Sequence, residues 1–131
     1  MNKNQNFYSD YINEKKQNKL PLAAIVGPTA AGKTRLSLEV AQNVDGEIIS
    51  SDSMQIYKDM DIGTDKVNRN IRKKIPHHMI DIITPEENYS VAEYQTQVDQ
   101  LIKDINNKNH LPLLVGGTGL YVKAVIQGFL L

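Results

Sequence analysis

Cysteine is absent from the sequence, which excludes disulfides, thiolate nucleophiles and zinc or iron–sulfur sites built on cysteine. Net charge is absent as well: 15 Lys and Arg balance 15 Asp and Glu, so the chain as a whole offers no field that draws in a polyanion. Arginine is scarce, limited to Arg35, Arg69 and Arg72, too few for a lid that closes arginines over phosphates. No apolar run approaches the ~18 residues of a membrane-spanning helix. The first stretch is polar and rich in Asn and Lys, with Asp10 and Glu14 but no Arg. It lacks the apolar segment of a secretory signal and the basic character of a transit peptide. Residues 1–19 are therefore expected to form a flexible, frayed or partly helical leader, and a cytoplasmic location without membrane contact follows by default.

What is present is ordinary globular material. With 131 residues, 40% apolar and 23% charged, the chain suffices for one domain and one core, assigned to 20–131. Leu20 to Val26 is a short apolar run ending at Gly27-Pro28, which reads as a buried strand meeting a turn. Leu36, Val40, Ala41 and Val44 then recur at helical spacing, predicting a helix over Lys33 to Val44. Glu47 to Ser50 predicts a second strand and Ile80 to Ile83 a third. Ser90 followed by Glu93 is a capping box. It opens a helix with the apolar stripe Val91, Tyr94, Val98, Leu101, Ile102 and Ile105. Leu111 to Val115 is a strand with Pro112 near its start, and Thr118 to Gln127 a final helix. Alternating strands and helices imply an α/β fold, a parallel sheet with helices on both faces. So few strands make a thin sheet that is expected to be truncated.

Gly27-Pro28-Thr29-Ala30-Ala31-Gly32-Lys33-Thr34 matches G-x-x-x-x-G-K-[ST] at every fixed position, between a strand and a helix. The glycines let successive backbone N–H groups converge on one anion, and the helix that follows adds its positive end. Lys33 supplies a full charge to terminal phosphates, and the Thr34 hydroxyl is placed to ligate Mg²⁺. The loop makes the fold P-loop NTPase-like and the ligand a di- or triphosphate. It does not choose among kinases, NTPases and transferases. Asp52 follows the second strand, so the sheet carries it to the same edge. From its position alone it can accept a proton, assist a metal or cap a turn.

Five blocks in order decide further. They are the phosphate loop, Asp52-Ser53-Met54-Gln55-Ile56-Tyr57, Met60-Asp61-Ile62-Gly63-Thr64, Pro76-His77-His78-Met79-Ile80-Asp81 and Leu113-Leu114-Val115-Gly116-Gly117-Thr118-Gly119-Leu120-Tyr121. Together, from about Pro21 to Gly128, they resemble the tRNA dimethylallyltransferase family. The resemblance implies transfer of a dimethylallyl group from dimethylallyl diphosphate to the exocyclic amine of the adenine 3′ of the anticodon in tRNA. The phosphate loop would then hold a leaving diphosphate, with Lys33 and Mg²⁺ taking up the developing charge. It also implies that Asp52 is the general base, that Thr118 helps position the reacting groups, and that Asp52, Ser53, Met54 and Gln55 receive a base flipped out of the anticodon loop. A monomer is expected.

Other residues carry lesser signals. His77 and His78 are adjacent on an extended segment and so point to opposite faces, a poor metal chelate that suits structural roles. His110, in a polar turn, is expected to be solvated. Tyr57, Tyr89, Tyr94 and Tyr121 fit half-buried packing better than base stacking. Lys66, Arg69, Arg72, Lys73 and Lys74 cluster within a short span, as either a solvated face or a local contact for an RNA backbone. Asp59, Asp65 and Val67 stand where the family commonly has Gly, Ala and Pro, beside the site rather than in it. The larger departure is length, since the family continues for roughly as long again with a helical tRNA-gripping domain, so an incomplete enzyme is expected. The rival readings are a small-molecule or nucleotide kinase, an adenylate prenyltransferase acting on free nucleotides, and a phosphate-binding fragment without turnover.

Overall fold

The computed structural model describes residues 21–27, 31–58, 67–117 and 119–130. The leader, Pro28, Thr29, Ala30, the Met60–Thr64 block, Asp59, Asp65, Lys66 and Thr118 lie outside the described residues. The elements run β1 (Ala23–Val26), α1 (Ala31–Asn43), β2 (Gly46–Ser50), α2 (Arg69–Lys74), β3 (His77–His78), α3 (Val91–Asn107), β4 (Leu111–Gly116) and α4 (Leu120–Leu130). The strands form one four-stranded sheet in the order β1-β4-β2-β3, and every pairing is parallel. Parallel neighbours require crossovers, and these are the helices.

Strand alternation divides the core. Ile48, Leu111 and Leu113 pack with Ala41 of α1 and Ile75 on one face. Ile49 and Leu114 pack on the other face with Tyr94, Val98, Ile102 and Ile105 of α3 and Val122 and Val125 of α4. Helices therefore cover both faces, as the alternation of elements predicts. The α3 stripe is also as expected: Ser90 caps it by accepting from the Glu93 N–H at 3.1 Å. Asn106 joins its buried side, where Nδ2 donates to the carbonyls of Pro21 and Ile102. Pro112 is tolerated in the interior strand because β1 pairs only from Leu113 onward, so the missing donor falls before the two-sided part of the ladder.

Two expectations are corrected. The third strand is His77–His78 rather than Ile80 to Ile83. Met79 and Asp81 adopt φ of 65° and 56°, which breaks any extended run, and only Ile83 returns to pair with Tyr57 in an isolated parallel bridge. On α1, Leu36 is half exposed while Ser37 is buried. The serine is accommodated because its hydroxyl donates to the Thr34 carbonyl at 2.7 Å, which removes the cost of burying it.

Where β4 ends, Gly116 lies against Ser51. A Cβ at Gly116 would overlap the Ser51 hydroxyl and sit 3.0 Å from Ser51 Cβ and 3.1 Å from its carbonyl carbon. Backbone cannot rotate away, so Gly116→Ala is expected to destabilise the fold by about 1–3 kcal/mol, read as an earlier urea midpoint with an unchanged slope.

Candidate active site at the carboxyl edge of the sheet

All four strands point their carboxyl ends to one edge, and the loops there build the site. Gly27 follows β1 and is tied across to β4 by its N–H to the Gly116 carbonyl, 3.2 Å. Among the described residues, nothing lies within 4 Å of where a Cβ would stand at Gly27 or Gly32. Lys33 reaches back to donate from Nζ to the Gly27 carbonyl at 3.0 Å. Its ammonium is thereby held at the mouth of the loop.

Asp52 is fixed by the chain on either side of it. Tyr94 Oη donates to the Ser50 carbonyl at 2.7 Å, and Ser51 N–H donates to Val115 O at 2.9 Å. Burial, with Tyr89 and Tyr121 alongside, pushes the Tyr94 phenol well above its ordinary range, so it remains a donor. Asp52 Oδ1 accepts from the Met54 N–H at 2.8 Å, and the Asp52 carbonyl accepts from Gln55 N–H at 3.2 Å. The turn-capping role open to Asp52 from its position is thus realised, using Oδ1.

Two cavities meet at this residue. One is lined by Lys33, Thr34, Ser50, Asp52, Gln55 and His77, among others. The second, of about 320 Å³, is lined by Ser51, Asp52, Ser53, Leu120, Tyr121 and neighbouring backbone. Among the described residues, Asp52 is the one that lines both. Tyr121 stacks on the buried Tyr94 with ring centroids 4.3 Å apart, giving the second cavity a fixed aromatic wall. Met54 is exposed and lines neither cavity, whereas Gln55 lines the first and Ser53 the second.

The residues fit a divalent cation of the Mg²⁺ type. Thr34 and Asp52 line one cleft, and a hydroxyl and a carboxylate are hard oxygen donors of the kind that ion prefers. Among the described residues no cluster of three or more His, Cys, Asp or Glu could hold a metal by itself.

Several features escaped the sequence. His77 lines the Lys33 cleft, while His78 turns the other way and bonds Glu47 Oε1 at 2.7 Å. The alternation of adjacent residues was legible; which face carries the site was not. His110 is partly exposed, and its Nδ1 also lies 2.7 Å from Glu47 Oε2. Glu47, fully buried, also receives Lys108 at 2.8 Å. The signal was an acid inside an apolar strand, which burial tolerates only when it is paired. Tyr94 is buried and the other described tyrosines pack partly against the core, in line with packing roles. Within the basic cluster, Arg72 pairs with Asp81 at 3.0 Å, whereas Arg69, Lys73 and Lys74 are exposed. No helix of the described residues is long and apolar enough to cross a membrane.

Comparison with known proteins matches this architecture to one group. The model of the family described as IPP transferase matches residues 55–131. A tRNA dimethylallyltransferase of Halothermothrix orenii is 63% identical over 109 residues, which are 83% of this chain and 33% of that protein. Its Bacillus subtilis counterpart is 50% identical over 111 residues, 85% of this chain and 35% of that one. Among solved structures, the tRNA isopentenylpyrophosphate transferase of Bacillus halodurans superposes with a TM-score of 0.79 at 53% identity, covering 84% of this chain and 36% of that one. A eukaryotic dimethylallyltransferase, described as acting on tRNA, gives 0.74 at 38% identity, covering 79% and 26%. The chain thus spans about a third of the length of the curated relatives it matches, a greater difference than the expected doubling. With the family model covering more than half of its residues, the chain belongs to the IPP transferase family.

Proposed function

We propose that this chain carries the diphosphate site and the general base of a tRNA dimethylallyltransferase. The observation that carries the reading is the position of Asp52 in the common wall of two cavities, one bearing Lys33 and Thr34, the other Tyr121. The names of the relatives, tRNA dimethylallyltransferases at 63% and 50% identity, support the substrates.

On this reading Gly27, Pro28, Thr29, Ala30, Ala31, Gly32, Lys33 and Thr34 hold the diphosphate of dimethylallyl diphosphate. The adenine 3′ of the anticodon, extruded from its loop, enters the second cavity, which Asp52 and Ser53 line, while Met54, Gln55 and Thr118 complete the segments assigned to the tRNA. The exocyclic nitrogen attacks the first carbon of the allyl group. The carbon–oxygen bond breaks, and its electron pair leaves on the diphosphate, where Lys33 stabilises the charge. The proton lost from the nitrogen passes to the Asp52 carboxylate. An adenine amine is a weak nucleophile, its lone pair delocalised into the ring, so removing the proton during attack is where a base helps most. The Thr34 hydroxyl would hold Mg²⁺ together with diphosphate oxygens. When bound, the ion supplies further neutralisation of the leaving group.

The test is direct. The chain is incubated with Mg²⁺, labelled dimethylallyl diphosphate and unmodified tRNA bearing adenine beside the anticodon, and label in RNA is counted. Label in RNA would establish both the reaction and that these residues suffice for it. Label in free adenine nucleotides but not in tRNA would replace the substrate. ATP turnover with a small hydroxylic acceptor would replace the reaction with that of a kinase, and diphosphate binding without transfer would leave a binding fragment.

A further inference from the structure

His77 has one ring nitrogen committed and one without a partner. Nδ1 lies 2.7 Å from the Ile75 carbonyl oxygen. A carbonyl only accepts, so Nδ1 carries the proton of that bond. Burial, together with the nearby positive charge of Arg72, disfavours the imidazolium, leaving Nε2 as a lone-pair acceptor. That Nε2 is buried and has no hydrogen-bond partner, on a side chain lining the cleft of Lys33, Thr34 and Asp52. An acceptor left in this condition destabilises the fold, and a donor placed against it would relieve that.

The contents assigned to the cleft narrow the choice of donor. An ionised diphosphate has only acceptor oxygens, and the allyl tail has no polar hydrogen. Lys33 directs its ammonium to Gly27 O. The adenine amine is assigned to the second cavity, whose lining does not include His77. A small hydrated divalent cation keeps several of its waters, and those waters, polarised by the ion, are strong donors.

We propose that His77 is a positioning residue whose Nε2 accepts a hydrogen bond from a water carried by the divalent cation that accompanies the diphosphate. Asp52 and Thr34 supply oxygens to the same cleft, and His77 orients the hydration shell from the β3 side without touching the ion. The inference rests on the reading of the cleft as a diphosphate site.

Titration calorimetry of inorganic pyrophosphate into the 131-residue chain, with Mg²⁺ or with chelator, tests it. His77→Phe is expected to weaken binding about tenfold with Mg²⁺, the scale of an outer-sphere loss, and to leave metal-free binding unchanged. His77→Gln, which returns an acceptor oxygen, should recover most of the loss. Equal affinities of wild type and His77→Phe with Mg²⁺ overturn the proposal, as does an equal loss with and without the metal. A second measurement needs no variant. With Mn²⁺ and pyrophosphate, electron spin-echo spectra of the wild-type chain should show a weakly coupled histidine nitrogen that is not a ligand, identified by ¹⁵N-histidine labelling. Its absence, or a directly bound nitrogen, overturns the proposal. Failure in these arms leaves the transfer assay on tRNA untouched, whereas a wild-type chain that binds no pyrophosphate under either condition removes both readings.

Discussion

Asp52→Asn is expected to lower dimethylallyl transfer by about 10²–10⁴-fold, the range for loss of a general base, while pyrophosphate affinity measured without metal stays within about twofold of wild type. Asparagine is the informative substitution because its amide oxygen can keep the bond that Asp52 Oδ1 accepts from Met54 N–H, 2.8 Å. The turn then survives and only basicity is removed. Alanine would remove both and confound a chemical defect with a displaced loop. Label transfer to RNA at saturating diphosphate separates the cases. An asparagine variant with undiminished turnover would confine Asp52 to its turn-capping role.

The second large effect lies at the opposite edge of the sheet. Glu47 is fully buried where β2 begins, and His78, His110 and Lys108 converge on its two oxygens at 2.7, 2.7 and 2.8 Å. Burial alone would raise its pKa, but the bonds from Lys108, His78 and His110 outweigh that and hold it at about 2, against an ordinary 4.5. A carboxyl depressed by folding contributes stability that is fully present above the unfolded value and is lost as pH falls through the folded one. The wild-type chain should therefore lose about 3 kcal/mol between roughly pH 5 and pH 2 from this group. Glu47→Gln should lack that component, so its difference from wild type shrinks as pH falls. Glu47→Ala, which strips the partners of their buried charge, should cost about 3–5 kcal/mol near neutrality. Urea midpoints at a series of pH values give both numbers. A constant gap between wild type and Glu47→Gln from pH 6 to pH 2 would show that the carboxylate is not so depressed.

The sequence made some of this legible and hid the rest for identifiable reasons. Local signals survived well: the capping box at Ser90 and the apolar stripe from Tyr94 to Ile105 both depend on near neighbours along the chain. The placement of Asp52 at the site edge followed from strand direction alone. What was hidden depends on distant partners. Ile80 to Ile83 looks like a strand until Met79 and Asp81 adopt positive φ. The partner of His110 is unreadable until the sheet delivers Glu47 beneath it, across 63 positions. His77 and His78 are indistinguishable as a pair until β3 docks beside β2 and assigns one to each face. Leu36 shows that helical spacing gives a stripe only to within a residue or so, since its neighbour Ser37 took the buried place. The phosphate loop was readable as a binding device, but the reaction it serves was not. That came from several blocks in order rather than from any one of them.

The two cavities joined at Asp52 have a consequence for traffic. Reactants that approach a shared wall from either side do not queue behind one another. On the proposed reading an isoprenoid donor already seated would not have to move for the RNA to dock, and spent diphosphate would not have to wait for the modified base to withdraw. On that reading the carboxylate would act as a partition with a hatch: the bulky parts of both reactants would stay in their own compartments, and only a bond and a proton would pass through.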